Sequence, residues 1–500
     1  MIKLVFTVVS ACIALLVALP LSTWGDVTYS GNRDELEIVK MRVTPAPAPL
    51  PSLKYRLTAR GIDLVSGNAA PFYYRTFMEL AGPMKHIRKE NGDEFDNWAM
   101  TSGDESIAIA NLPLEKVRKA TQGLDGIVRN HASIATSRRD CDWQLGLEDL
   151  RGVDVVNFLL PEFQESRQLS RVLAVRTRLA VAEHRYDDAI DVMRMNYRLG
   201  VDIANPPFLV CGLIGLAVAG IANDTLIELV AASDSPNMYW ALTELPSPLI
   251  DLGPAVRYEL DFGPRVFPFI HHAETTERAP EEWNRLLKQA TGDFQLIMSN
   301  VPTSRDSVTS GLYATGLALV GYSHAKERLI AQGMERDRVD KMAVGQVMAI
   351  YTERQYLRLA NGFERLWHVP FWELRKYERA AMDELKAADM RSGDADREVL
   401  PIASQLLPAI SSARAAQVRL EREIAAFRVI EALRMYAAEH DGKLPETLEE
   451  VTSVPIPLNP ATGKPFLYRL EDATGILELP KSDRVTGSNR RFEIQIAAKK

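Results

Sequence analysis

The sequence predicts a mainly α protein: an irregular body of helical hairpins with a small C-terminal α+β domain, a long helix plus an antiparallel sheet. Three observations predict it. From about residue 105 to 395, apolar residues recur three and four apart, and Pro or Gly stands at the breaks. The stretch "LLPAISSARAAQVRLEREIAAFRVIEALRMYAAEHDGKLP" then reads as one long amphipathic helix that stops at Asp441-Gly442. Beyond it the period changes to two: Phe466, Tyr468 and Leu470 alternate as one face of a strand, with Ile476 to Leu479 and "RFEIQIA" at 491–497 as its antiparallel neighbours. A chain of 500 residues with 46% hydrophobic and 25% charged residues can bury a real core, which excludes wholesale disorder.

In chain order, residues 1–25, "MIKLVFTVVSACIALLVALPLSTWG", place one Lys before an almost unbroken apolar run and read as an export signal cleaved after Gly25. The alternatives are an uncleaved membrane anchor, since the run approaches a bilayer's span, and a lipoprotein box at Cys12, which arrives too early in the leader. Residues 26–55 read as a Pro-rich extended linker, with Pro at 45, 47, 49 and 51 favouring an extended polyproline spacer. Gly67-Asn68 makes a turn before an aromatic helix start, "PFYYR".

The mainly helical domain covers 56–395. Within it, "LSRVLAVRTRLAVAEHRYDDAIDVMRMNYRLGVDIANPP" holds two helices flanking "EHRYDD"; Tyr186, Ala189 and Ile190 open the second and Pro206-Pro207 close it. The pair resembles one tetratricopeptide-like hairpin, but nothing comparable recurs at an offset of about 34 residues, so irregular hairpins are expected rather than a solenoid. Phe208 to Ala222 is apolar all round and reads as a buried central helix, with Gly212, Gly215 and Gly220 spaced for close helix contact. Pro and Gly break up "LPSPLIDLGPAVRYELDFGPRVFPF", and "SNVPTSRDSVTSG" at 299–311 reads as a polar loop.

The export signal, the Pro-x-Pro spacer, "LKYRL", "GNAAPFYYR" and the distal "GKLPETLEEV" and "NPATGKPFLYRL" together resemble a large family of uncharacterised exported proteins of planctomycete-type bacteria. That resemblance implies location and architecture and no biochemical activity. The 396–500 region resembles the soluble domain of pilin-like proteins, although its helix is internal and lacks a pilin leader.

The search for chemistry finds candidates and a plainer reading for each. Gly463-Lys464 is no phosphate loop, because Leu458 stands where the motif needs Gly and Pro465 replaces Ser or Thr. His271-His272 with Glu274 and Glu277 invites a metal, yet two adjacent His cannot both point along one helix face. Ser323 and Lys326 match Ser-x-x-Lys without a companion Lys-Thr-Gly strand. Trp367, Phe371, Trp372 and Tyr377 could line a groove for sugar or peptide, with core packing as the simpler account. Cys141 and Cys211 are candidates for a disulfide in an exported setting, or for separate burial.

With 59 Lys and Arg against 66 Asp and Glu, the net charge of −7 and the absence of a basic block argue against nucleic acid. The expectation is therefore an exported protein of the periplasm or cell envelope, serving a non-catalytic binding or scaffolding role. No catalytic residue, metal or cofactor is assigned. Its partner would be an envelope protein or polymer, with the membrane touched only through an uncleaved leader. A hydrolase of an envelope polymer and an accessory of a secretion or pilus system are the alternatives.

Overall fold

The computed structural model describes residues 27–31, 35–103, 105–147, 150–152, 154, 161–298, 308–480 and 489–497. The leader reading at 1–25 lies outside the described residues. The chain is mainly helical, with a small α+β unit that contains the C-terminal strands.

Strands β1 (Val27–Ser30) and β2 (Glu37–Val43) open the described chain. This corrects the expectation of a linker over 26–55. In β2 Glu37, Val39, Met41 and Val43 are buried while Lys40 and Arg42 are exposed, the alternation of a half-buried strand. The Pro-rich stretch that follows is also packed: the Ala46 amide donates to the Arg434 carbonyl at 3.1 Å, and its own carbonyl accepts from Asn237 Nδ2 at 3.3 Å. A two-stranded parallel ladder then joins β3 (Val65–Asn68) to β4 (Arg138–Asp140). Between them runs α1 (Ala70–Asn91), whose first free amide, Ala70 N, donates to Asn68 Oδ1 at 3.1 Å, in the turn expected there.

The centre is a three-helix stack: α2 (Pro161–Ala182), α3 (Tyr186–Ile203) and α4 (Leu209–Ala231). α3 begins at Tyr186 and ends before Pro206-Pro207, as the sequence predicts. α4 is the single helix among the described residues long and apolar enough to cross a membrane, and 72% of its most apolar window is buried inside the protein. Gly215 meets α3 so closely that a Cβ there would lie 2.4 Å from the Gly200 carbonyl oxygen. Gly212 lies under Leu252, whereas Gly220 has nothing within 4 Å, so two of the three expected contact glycines are used.

Further along, the Pro-rich segment at 246–268 forms only short helices, Gly253–Leu260 and Phe262–Val266. α5 (Pro280–Met298), α6 (Val308–Ala331), α7 (Val344–Glu364) and α8 (Leu374–Ala387) complete the body. Of the loop expected at 299–311, residues 299–307 lie outside the described residues and the rest begins α6.

α9 (Pro408–Glu439) is the long helix, ended by Asp441 and Gly442 at φ of 53° and 78°. It is not amphipathic in the ordinary sense, because Arg419, Arg422, Glu423, Glu431 and Arg434 are all buried. β5 (Leu467–Glu471), β6 (Thr474–Leu479) and β7 (Arg490–Ile496) follow. The sheet order is β1-β2-β7-β6-β5, and β2 pairs with β7 in parallel, so the sheet is mixed rather than purely antiparallel and is built from both ends of the chain. Glu37 and Arg490 are register partners, joined by a buried ion pair at 2.6 Å. Phe492 of β7 meets Phe427 of α9, ring centroids 6.1 Å apart, which seats the sheet on the helix.

Candidate functional site

The sharp turn Glu183–Arg185 between α2 and α3, with His184 at a φ of 57°, lets α3 project its first turn from the body. Ala189, Ile190, Val192 and Met193 are buried, while Asp187, Asp188 and Asp191 stand at the outer face. Two acidic residues in that first turn suit the positive end of the helix dipole. α3 thereby forms a ridge between two open clefts, and Asp191 lines both.

The first cleft, about 550 Å³, lies between α3, the end of α2 and the short helix Leu114–Gln122. Arg118, Arg176 and Arg185 line it opposite Asp125, Asp188 and Asp191. Arg176 pairs with Asp125, and Arg185 with Asp188 and, at 2.6 Å, with Glu183. Burial works to raise the Glu183 pKa, but its bonds from Arg185 and Arg118 outweigh that and hold it below the usual carboxylate range.

The second cleft, about 580 Å³, sits between α3, segment 53–63 and residues 133–137. Arg194 pairs with Asp191 at 2.9 Å, Arg60 grips both oxygens of Asp63 at 2.6 and 2.8 Å, and Lys54 lies 4.9 Å from the Tyr55 ring centroid. The bond from Arg60 lowers the Asp63 pKa. Ser137 and Thr136 donate their hydroxyls to the carbonyls of Ile134 and Ser133 at 2.8 and 3.1 Å, and no His lines either cleft. These hydroxyls are thus held by backbone acceptors and not by a base that would activate them. The arrangement offers alternating donors and acceptors for recognition.

Elsewhere the candidates read from the sequence go separate ways. His271 and His272 lie in a turn, rings 4.0 Å apart, while Glu274 is gripped by Arg354 at 2.7 and 2.8 Å. Among the described residues no group of three or more His, Cys, Asp or Glu is arranged to hold a metal ion. Ser323 is exposed on α6, and Lys326 binds Asp340 at 2.8 Å; that bond raises the Lys326 pKa, the opposite of what a general base needs. Cys141 and Cys211 are both buried and no disulfide joins them, which decides between the two expectations in favour of separate burial. The four aromatics line neither cleft: Trp367 lies under the Arg414 guanidinium, 4.8 Å from its ring centroid, Phe371 is buried, and Trp372 and Tyr377 are exposed. Gly463-Lys464 belongs to a tight turn, with the Gly463 amide donating to the Asn459 carbonyl at 2.8 Å.

Sequence reasoning missed the clefts. "LKYRL" and "EHRYDD" each carry cleft residues, but nothing local says that segments 53–63, 133–137 and 187–194 converge. Comparison of the chain with protein-family models, curated proteins and solved structures found no match.

Proposed function

We propose that this protein is an exported, non-catalytic binding or scaffolding component of a bacterial cell envelope, and that it takes an envelope protein or polymer across the two clefts. The observation that carries the reading is the set of ion pairs lining the cleft beside the α3 ridge. Arg60–Asp63 and Arg194–Asp191 are partly or well exposed pairs. Solvent screens such pairs and they add little to stability, so a ligand bearing charges or hydroxyls can replace them at little cost.

A hydrolase would need a carboxyl kept protonated near neutral pH. Asp63 and Glu183 shift downward instead. Glu398, pushed up to about 7 by burial, is committed to the amides of Ala403 and Ser404 at 2.7 and 3.1 Å. Both facts favour the binding reading. The apolar leader at 1–25 supports the address.

The test is fractionation of the tagged full-length chain, with a photo-crosslinking side chain at Arg194 or Asp188. Recovery of an envelope protein or polymer, and loss of export on deleting residues 1–25, are the expected results. Intact chain free in the cytosol would overturn the address. Turnover of a polymer by purified protein, lost in Asp191→Asn, would replace the binding reading with the hydrolase.

A further inference from the structure

Trp372 is the one exposed tryptophan among the described residues, at 48%; Trp98, Trp143 and Trp283 are buried, and Trp240 and Trp367 are half-buried. Its position is nevertheless fixed. A Cβ built on Gly463 would lie 2.8, 2.8 and 2.9 Å from Cδ2, Cε2 and Cγ of the indole. Three nearly equal distances to atoms of one ring place Gly463 over the face of the indole and not at its edge.

The turn behind it is rigid. Asn459, 3% exposed, donates its amide to the Lys464 carbonyl at 2.8 Å, accepts from the Thr462 and Gly463 amides at 3.1 and 2.8 Å, and holds the Ala461 amide with its side chain at 3.0 Å. Gly463 has a φ of 65°, a conformation glycine adopts without strain, and lacks the side chain that would push the ring away. On the other side Phe371 and Leu374 are buried and anchor the short turn that carries Trp372. One face of the indole is therefore backed by the Gly463 backbone, which leaves the opposite face and the ring edge to carry its 48% exposure. Glu373, Thr462 and Lys464, next to the two residues in sequence, are exposed and supply polar groups at the rim.

We infer that Trp372 is a stacking platform for a pyranose ring of a polysaccharide, a site separate from the clefts. A flat, electron-rich face attracts the weakly positive C–H groups on the apolar face of a sugar ring, and rim donors and acceptors meet its hydroxyls. A platform held by a glycine turn loses little side-chain freedom on binding.

The experiment measures binding of the purified protein to cellohexaose and chitohexaose by quenching of tryptophan fluorescence with acrylamide, alongside sedimentation with insoluble cellulose and chitin. Bound sugar should shield Trp372 from acrylamide. Trp372→Ala should weaken binding at least tenfold, Trp372→Tyr should retain part of it, and Lys89→Glu, exposed on α1 and lining neither cleft, should leave it unchanged. A thermal midpoint for Trp372→Tyr equal to that of the parent keeps the comparison free of misfolding. The inference is overturned if none of these saccharides binds, if binding survives Trp372→Ala, or if Lys89→Glu weakens it as much as Trp372→Ala does.

Discussion

Arg178 is a heavily bonded buried side chain at the molecule's centre, and its replacement by Met tests how the fold is held. It is 0% exposed. Its guanidinium meets both oxygens of Glu228 at 2.7 and 2.8 Å, and it also donates to the carbonyls of Trp98 (2.5 Å), Met100 (2.8 Å) and Ile107. One side chain on α2 thus ties α4 to the end of the short helix Glu94–Ala99 and to the backbone at Met100 and Ile107. Met fills similar space but donates nothing, so Glu228, 5% exposed, loses its partner. Breaking a buried pair in this way costs about 3–5 kcal/mol, and three unpaired carbonyls add to it. Burial already raises the Glu228 pKa, against the pull of Arg178. Loss of Arg178 raises it further, so the deficit should shrink at low pH, where the carboxyl is protonated. Urea unfolding followed by circular dichroism measures the loss, and Arg178→Met/Glu228→Leu should recover the part due to the stranded carboxylate. A loss under about 1 kcal/mol for the single variant, or no recovery in the double, would refute the assignment of this network as a main tie of the core.

Glu398, 3% exposed, should give the protein a pH signature. Burial raises its carboxyl from 4.5 to about 7, against the lowering effect of its bonds from Ser404 and Ala403. Its stabilising contribution is full below about 4.5 and lost as the pH rises through about 7, worth about 3 kcal/mol across that window. Glu398→Gln should flatten the corresponding slope in a pH series of urea midpoints. Gly215→Ala, with its Cβ against the Gly200 carbonyl, should cost about 1–3 kcal/mol, whereas Gly220→Ala, with open space around it, should stabilise by about 0.5–1 kcal/mol. Thermal melts of the two variants should move in opposite directions. Because no disulfide joins Cys141 to Cys211, adding a reductant should leave the melting midpoint unchanged.

The helical body was legible because its signals are local. Tyr186 and Pro206-Pro207 bracket α3, and the apolar run from Phe208 marks α4. In the sheet, β6 and β7 fall where the period-two runs predict, but only β6 pairs with β5 and β7 lies beyond it. β1 and β2 were hidden. The four prolines after Val43 dominate the reading of that region, and the pairing of Glu37 with Arg490 spans 453 positions, too far for any local period to record. The buried arginines of α9 misled in the same way: Arg434 looks solvated in sequence, yet Glu431 and the carbonyls of Thr44 and Ser235 enclose it. The clefts failed to appear for the same reason, since Arg60, Ser137 and Asp191 come together only through tertiary packing. Trp372 was visible as an aromatic, but its backing by Gly463 was not.

The parallel pairing of β2 with β7 also carries a liability. Glu37 and Arg490 stand 453 positions apart, so the loop that their pairing closes is long and its closure costs chain entropy. Until β7 docks, one edge of β2 has no neighbour, and an open edge is a template for any other strand it meets. Whatever loosens β7 therefore unmasks a sticky ribbon far away in the sequence.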